Sequence, residues 1–246
     1  MTPGMRDRVI VTTGIVGLTA LAWVYLVRMA HSMAAMSMPE MNMWAVPDVS
    51  MLIVMWVVMM VAMMLPSAAP MIVLAVGTYR RRAGGPAAWA MGGAFALGYL
   101  LAWTGFSVVA ALAQAGLHRA AWLSPAMSAS NAWLGGAILI VAGVYQWLPV
   151  KARCLTHCRS PLNFLMTAWR EGLIGAVRMG VHHGKFCIGC CWALMLLLFV
   201  AGVMNLVWVA AIAVLVLVEK VLPLGSLAGR LTGAALIVWG VLVALK

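Results

Sequence analysis

Long apolar runs recur along the whole chain, and this repetition limits the possible folds more than any other feature of the sequence. A run of about 20 apolar residues is enough for a helix to cross the roughly 30 Å hydrocarbon core of a bilayer. Only 9% of the 246 residues are charged, whereas 65% are hydrophobic. Because helices satisfy their own backbone groups in lipid, the sequence predicts an all-α integral membrane protein.

About seven transmembrane helices and one interfacial amphipathic helix are predicted for a single polytopic domain of residues 1–246. The spans fall at about 9–28, 49–79, 87–113, 131–149, 187–203, 206–222 and 227–245. The amphipathic helix is predicted at 162–181, inside a long basic loop of residues 150–185, and a helical hairpin at 186–222 follows the loop. The first apolar run is longer than the core of a signal peptide, so we predict that it is retained as an anchor.

Basic residues are distributed unevenly between the two sides of this arrangement. If the N-terminus is cytoplasmic, all of the 16 Lys and Arg residues lie on the cytoplasmic side except Arg28, Arg119 and Lys246. This asymmetry follows the positive-inside rule, and it predicts a multi-pass protein with its N-terminus in the cytoplasm. The net charge of +11 is then explained by the basic residues on the cytoplasmic side of the membrane. The sequence has no basic patch interleaved with aromatic residues, so nothing in it indicates a nucleic-acid partner.

Methionines are concentrated in the predicted outer loop 29–48 and in the helix 49–79 that follows it. In that helix, one row contains Met51, Met55, Met59 and Met63, and a second row begins with Met60 and Met64. Side chains four residues apart lie on one side of a helix, and thioethers are soft ligands that suit Cu(I). The alternative is that methionine fills gaps between packed helices. Pro66 and Pro70 are expected to break or kink this helix.

All five cysteines lie in the second half of the chain, in two groups. The candidate metal ligands of this region are Cys154, His157, Cys158, His183, Cys187, Cys190 and Cys191. On a helix, the last two cysteines follow Cys187 on its own face, so three sulfurs are predicted to converge. Thiolates select Cu(I), Zn or Fe–S centres. The alternative is that the cysteines are small buried apolar residues.

Other polar features indicate no further chemistry. Glu219 and Lys220 close the predicted span 206–222 and are interpreted as residues that extend toward the membrane interface. The sequence contains no phosphate-binding loop, carboxylate pair or Ser/His/Asp set, so nothing in it favours an enzyme. No catalytic residue is predicted.

Three motifs resemble those of a bacterial family described as predicted metal-binding integral membrane proteins, a family of unknown function. The motifs are Trp56-x2-Met59-Met60-x-Ala62-Met63-Met64-x-Pro66, Cys154-x2-His157-Cys158-x2-Pro161 and Gly184-x2-Cys187-x-Gly189-Cys190-Cys191-Trp192. The resemblance extends from about residue 49 to the end of the chain. It implies a metal-binding protein of the bacterial inner membrane.

Three functions are compatible with these features. The first is binding of a soft metal, above all Cu(I), for copper acquisition, transfer or delivery to a copper-requiring membrane enzyme. The second is a membrane thiol–disulfide carrier, because Cys187 and Cys190 have the spacing of a redox motif. The third is a structural or partner subunit, associated with other membrane subunits, whose cysteines hold Zn²⁺. In each case the lipid bilayer is the surrounding partner.

Overall fold

The computed structural model describes residues 3–35, 46–120, 122 and 131–245, and secondary structure within these ranges is helical throughout. The helices are α1 (Pro3–Ala35), α2 (Val46–Arg82), α3 (Gly85–Arg119), α4 (Ala132–Tyr145), α5 (Pro149–Arg159), α6 (Pro161–Ala168), α7 (Gly172–Met195), α8 (Leu197–Ala201), α9 (Leu206–Val221) and α10 (Gly225–Ala244). The all-α prediction is therefore confirmed for these residues. Residues 36–45, which are half of the predicted Met-rich loop 29–48, lie outside them.

Among the described residues, five helical stretches are long and apolar enough to cross a membrane. They are Gly4–Ser32, Val49–Arg82, Gly85–Arg119, Gly172–Ala201 and Gly225–Ala244. A sixth is obtained if α4 and α5, which meet at a bend of 62°, form one broken span. The count is lower than the predicted seven partly because α9 has only 16 residues, about 24 Å of helix, which is shorter than the hydrocarbon core.

Helix α2 continues without interruption through Pro66 and Pro70, so the expected break at these prolines is absent. Both residues lack the N–H that would bond the preceding turn. Side chains supply hydrogen bonds in the same region: the hydroxyls of Tyr99 and Ser67 donate to the carbonyl of Met64 at 3.0 Å and 2.9 Å. Packing of α2 against both α1 and α3 then keeps the helix continuous.

The region predicted as one interfacial helix at 162–181 is divided in the structure. Helix α6 ends at Ala168, and α7 begins at Gly172, whose positive φ of 75° allows the chain to turn there. Helix α7 then runs to Met195 without a break. The cysteines of α7 therefore lie in the second half of a long helix, whereas the sequence placed them at the start of a span.

Glycines bring the backbones of α3 and α7 into direct contact. A Cβ atom added at Gly98 would meet the carbonyl of Val177, and one added at Gly180 would meet the carbonyl of Phe95. Gly184, one turn further along α7, adjoins Ala102 in the same way. Small residues at such positions allow helices to approach closely, and the crossing fixes α7, which carries three of the cysteines, against α3.

We expect Gly180→Ala to destabilise the protein by about 1–3 kcal/mol, because its methyl group would overlap backbone atoms of α3 that cannot move independently. The measurement is the thermal unfolding midpoint in detergent. Gly105→Ala is the matched control on α3, since a Cβ atom there meets nothing within 4 Å. Equal unfolding midpoints for the two variants would contradict the close crossing.

Candidate metal centre

Sulfur atoms from three helices meet inside the bundle. We call Met64 of α2, Cys158 of α5 and Cys187, Cys190 and Cys191 of α7 the sulfur cluster. The three cysteines of α7 are each 1% exposed and Met64 is fully buried, whereas Cys158 is partly buried. The cluster is thus closed to solvent except on the side of α5.

The helical spacing of the α7 cysteines determines where their sulfurs point. The thiols of Cys190 and Cys191 both donate to the carbonyl of Cys187, at 3.1 Å and 2.8 Å, because residues three and four positions later lie over that carbonyl. From there each sulfur reaches a different helix. The Sγ atoms of Cys190 and Cys158 are 3.9 Å apart, and the Sγ of Cys191 is 3.9 Å from the Sδ of Met64.

Cys187 contacts two polar groups that the sequence analysis did not identify. The Nζ of Lys220 donates to its Sγ at 2.9 Å and to the hydroxyl of Ser67 at 3.0 Å. The hydroxyl of Tyr99 lies 3.0 Å from the same sulfur. A buried ammonium next to a sulfur atom stabilises negative charge on that sulfur, which is the form that binds metals.

Glu219 and Lys220 are buried, so the interpretation that they extend toward the interface is wrong. They are 2% and 7% exposed. The carboxylate of Glu219 pairs with the ammonium of Lys151 at 2.7 Å, and Lys151 also donates to the side-chain carbonyl of Gln146. Neighbouring residues of α9 therefore bind two different helices, α5 through Glu219 and α7 through Lys220.

Cys154 approaches α7 at a glycine. A Cβ atom at Gly189 would lie 2.9 Å from the Sγ of Cys154, so only glycine leaves this sulfur its space. The neighbouring hydroxyl of Tyr145 donates to the carbonyl of Gly189. Cys154 is partly buried and lies one turn of α5 before Cys158. The structure thus places both cysteines of α5 along α7, beside the sulfur cluster.

The two candidate histidines lie in aromatic surroundings. The ring of His157 stacks on Phe186 with a centroid distance of 4.1 Å, and its Nδ1 is 2.9 Å from the carbonyl of Arg153. The buried ring of His183 packs against aromatic rings of α3 and α6, and its Nδ1 has no hydrogen-bond partner among the described residues. No contact joins either ring to a sulfur atom in the described part of the chain.

The methionine rows of α2 face the protein interior along most of their length. Met55, Met59, Met60 and Met63 are each 1% exposed. Met51, the first member of its row, is 65% exposed. Met64 is the methionine of these rows whose sulfur touches a cysteine. The rows therefore end at the sulfur cluster.

Within the described residues, no three His, Cys, Asp or Glu side chains are arranged to hold a metal ion. The predicted convergence of the three α7 sulfurs on a metal ion stays a prediction. The structure instead offers thiol–thiol and thiol–thioether pairs, which are soft donors.

Comparison with known proteins adds one match. A family model described as PpoB2, copper chaperone, matches residues 53–243. The match includes Met55 to Met64 of α2 and every cysteine of the chain. No curated protein and no solved structure shows significant similarity to the chain.

Proposed function

The chain belongs to the PpoB2 family of copper chaperones, and from this premise we propose that it is a membrane-embedded protein that holds Cu(I) at the sulfur cluster. The observation that carries the proposal is the meeting of sulfurs from α2, α5 and α7 within 3.9 Å of one another in two pairs. Soft thiolate and thioether donors select Cu(I) over harder cations. Copper is the cargo of this site.

Lys220 suits the site to a monovalent cation. A copper ion bound by two thiolates carries one net negative charge, and burial of an uncompensated charge is costly. The ammonium of Lys220 lies beside the sulfur of Cys187 and offsets that charge. The hydroxyl of Ser67 on α2 accepts a hydrogen bond from this ammonium, and the hydroxyl of Tyr99 on α3 lies 3.0 Å from the same sulfur.

The distribution of ligands supports a direction of transfer. The thioethers of Met55, Met59, Met60 and Met63 lead along α2 to Met64, and thiols follow on α7 and α5. Neutral thioethers bind Cu(I) more weakly than thiolates, so the ion moves downhill from α2 toward α7. Cys158 and Cys154 of α5 then offer it to an acceptor such as a copper-requiring membrane enzyme.

The membrane placement rests on helix length and composition. The five candidate spans, and a sixth from the α4–α5 pair, would bury the chain in the inner membrane of a bacterium. When the α4–α5 pair counts as a span, the N-terminus and the basic residues that follow α5 lie on the same side of the membrane, and the positive-inside rule makes that side cytoplasmic. The predicted division into a Met-rich outer loop, a methionine helix and a cytoplasmic Cys/His region belongs to this proposal.

We expect Met64→Leu to weaken Cu(I) binding by about tenfold, equivalent to 1.4 kcal/mol, because leucine keeps the volume but removes the thioether beside Cys191. Competition with a chromophoric Cu(I) chelator measures the effect. Met51→Leu is the matched control, since Met51 is exposed and lies outside the cluster. An unchanged affinity for Met64→Leu, or an equal loss in Met51→Leu, would remove Met64 from the ligand set.

One contact also supports the thiol–disulfide alternative. Cys158 and Cys190 lie on different helices with sulfurs 3.9 Å apart, so closing a bond between them would link α5 to α7. This pair is better placed for oxidation than Cys187 and Cys190, which share one helical turn. Loss of two free thiols on mild oxidation of a protein that binds no copper would favour this alternative.

A further inference from the structure

A basic cavity lies where α6 turns into α7, on the N-terminal side of the cysteines. Its volume is about 510 Å³, and its lining includes Arg170, Arg178, His182 and Lys185. We propose that this cavity binds the phosphate of an anionic lipid headgroup. The proposal rests on the membrane placement given above and is independent of copper binding.

The charges of the cavity require an anion. No acidic side chain is part of its lining. Arg178, His182 and Lys185 follow one another at spacings of four and three residues, so they share one face of α7. The nearby carboxylate of Glu171 lies toward Arg82, at 3.9 Å, and is strongly exposed. A bound phosphate would relieve the repulsion among Arg170, Arg178 and Lys185 and accept their hydrogen bonds.

The backbone that presents Arg170 is held in place. Its N–H lies 3.0 Å from the Sδ of Met179, and its carbonyl accepts the hydroxyl of Tyr79 at 3.4 Å. These contacts connect the turn between α6 and α7 to both α7 and α2. The backbone of Arg170 is therefore fixed at the cavity that Arg178 and Lys185 also line.

The surroundings of the cavity favour a lipid over a free anion. Large apolar side chains of the two helices that flank the cavity are exposed, namely Leu162 and Met166 of α6 and Leu173 and Ile174 at the start of α7. Apolar side chains beside cationic groups are typical of a helix at the boundary between headgroups and acyl chains. An anionic lipid can then contact the cationic groups through its phosphate and the apolar side chains through its hydrocarbon chains.

The length of the helical segment places the cavity at headgroup level. Gly172–Ala201 has 30 residues, about 45 Å, which exceeds the roughly 30 Å hydrocarbon core by about ten residues. The cations occupy the N-terminal part of this segment, whereas its C-terminal part is apolar. With Lys185 at the interface, Cys191 lies about 9 Å deeper, inside the hydrocarbon layer.

Native mass spectrometry of the full chain in neutral detergent tests the proposal. The probes are dioleoylphosphatidylglycerol, dioleoylphosphatidylcholine with the same acyl chains, and inorganic phosphate as a competitor. We expect phosphatidylglycerol adducts at concentrations at least about tenfold below those needed for phosphatidylcholine. We expect the variant R170Q/R178Q/K185Q to lose this preference. Millimolar phosphate should not displace the lipid.

The matched control is R6Q/R153Q/R230Q, which removes the same number of charges at exposed positions outside the cavity. It should keep the preference for phosphatidylglycerol. Equal binding of the two lipids, retention of the preference in R170Q/R178Q/K185Q, or its loss in the control would overturn the proposal. Full displacement by phosphate would identify the ligand as a free anion and would also overturn it.

Two further measurements test the premises of the proposal separately. Resistance of the chain to alkaline extraction from membranes tests the membrane placement, and Cu(I) binding by R170Q/R178Q/K185Q tests the sulfur cluster.

Discussion

Protein purified under reducing conditions is expected to carry about one copper ion per chain, and replacement of Cys187, Cys190 and Cys191 by serine is expected to remove it almost completely. The substitution eliminates one sulfur from each of the contacts that α7 makes with α2 and α5. It also removes the sulfur beside Lys220, whose buried ammonium is left without its thiol partner. Elemental analysis of the two proteins, normalised to protein concentration, is the measurement.

Cys154→Ser is the control for this experiment, because the Cys154 sulfur adjoins Gly189 outside the sulfur cluster. It should retain most of the copper. Stoichiometric zinc in place of copper would support a structural zinc site and contradict the chaperone proposal. Absence of metal from both proteins, together with loss of free thiols on oxidation, would instead favour the thiol–disulfide carrier. Circular dichroism should show that the triple variant keeps its helix content.

Lys151→Met is expected to destabilise the protein by about 3–5 kcal/mol, because it leaves the carboxylate of Glu219 buried without its cation. Both side chains of the pair are almost inaccessible to solvent, at 4% and 2% exposure. Unfolding in mixed micelles with increasing denaturing detergent measures the free energy. The loss should appear even in the absence of copper, since the pair connects α5 to α9 and lies outside the sulfur cluster.

A double substitution separates the ion pair from simple packing. Lys151→Met/Glu219→Leu removes both charges, and replacement of a buried pair by apolar groups is often close to neutral, so we expect most of the stability to return. The surface pair of Arg82 and Glu171, at 3.9 Å and strongly exposed, gives the matched control. Arg82→Met should change stability by less than about 1 kcal/mol. Equal losses in the single and double variants would show that the charge interaction is not what stabilises this junction.

The features that the sequence predicted correctly depend on local periodicity. Long apolar runs predict helices because a segment surrounded by lipid must satisfy its backbone hydrogen bonds within itself, and a helix does so. A spacing of four residues places Met55, Met59 and Met63 on one side of α2, and all three are buried. The grouping of the cysteines near α7 also follows from spacing, since residues 187, 190 and 191 must share a helical face.

The contacts between distant helices could not be read from the sequence. Tyr99 and Cys187 are 88 residues apart, and nothing local to either one indicates the other. A lysine near the end of an apolar helix has the same sequence pattern whether it reaches the interface or a buried partner. The available signal was the rarity of ionisable residues in such helices, which marks Glu219 and Lys220 as functional candidates.

Helix boundaries were predicted least well, for two opposite reasons. Prolines predicted a break or a kink in α2, but the helix continues through Pro66 and Pro70, packed against α1 and α3. Between α6 and α7 no proline marks the turn, and the signal is Gly172 alone. Propensity acts within a few residues, whereas packing against other helices decides the outcome at both places.

The burial of the α7 thiols determines how quickly a bound ion can leave, as distinct from how tightly it is held. Cys187, Cys190 and Cys191 are each 1% exposed, so a chelator dissolved in water cannot reach them to begin ligand exchange. The partly buried sulfurs of Cys154 and Cys158 are the accessible members of the set. We therefore expect exchange of a bound ion to start at α5, where an acceptor that docks can reach these sulfurs.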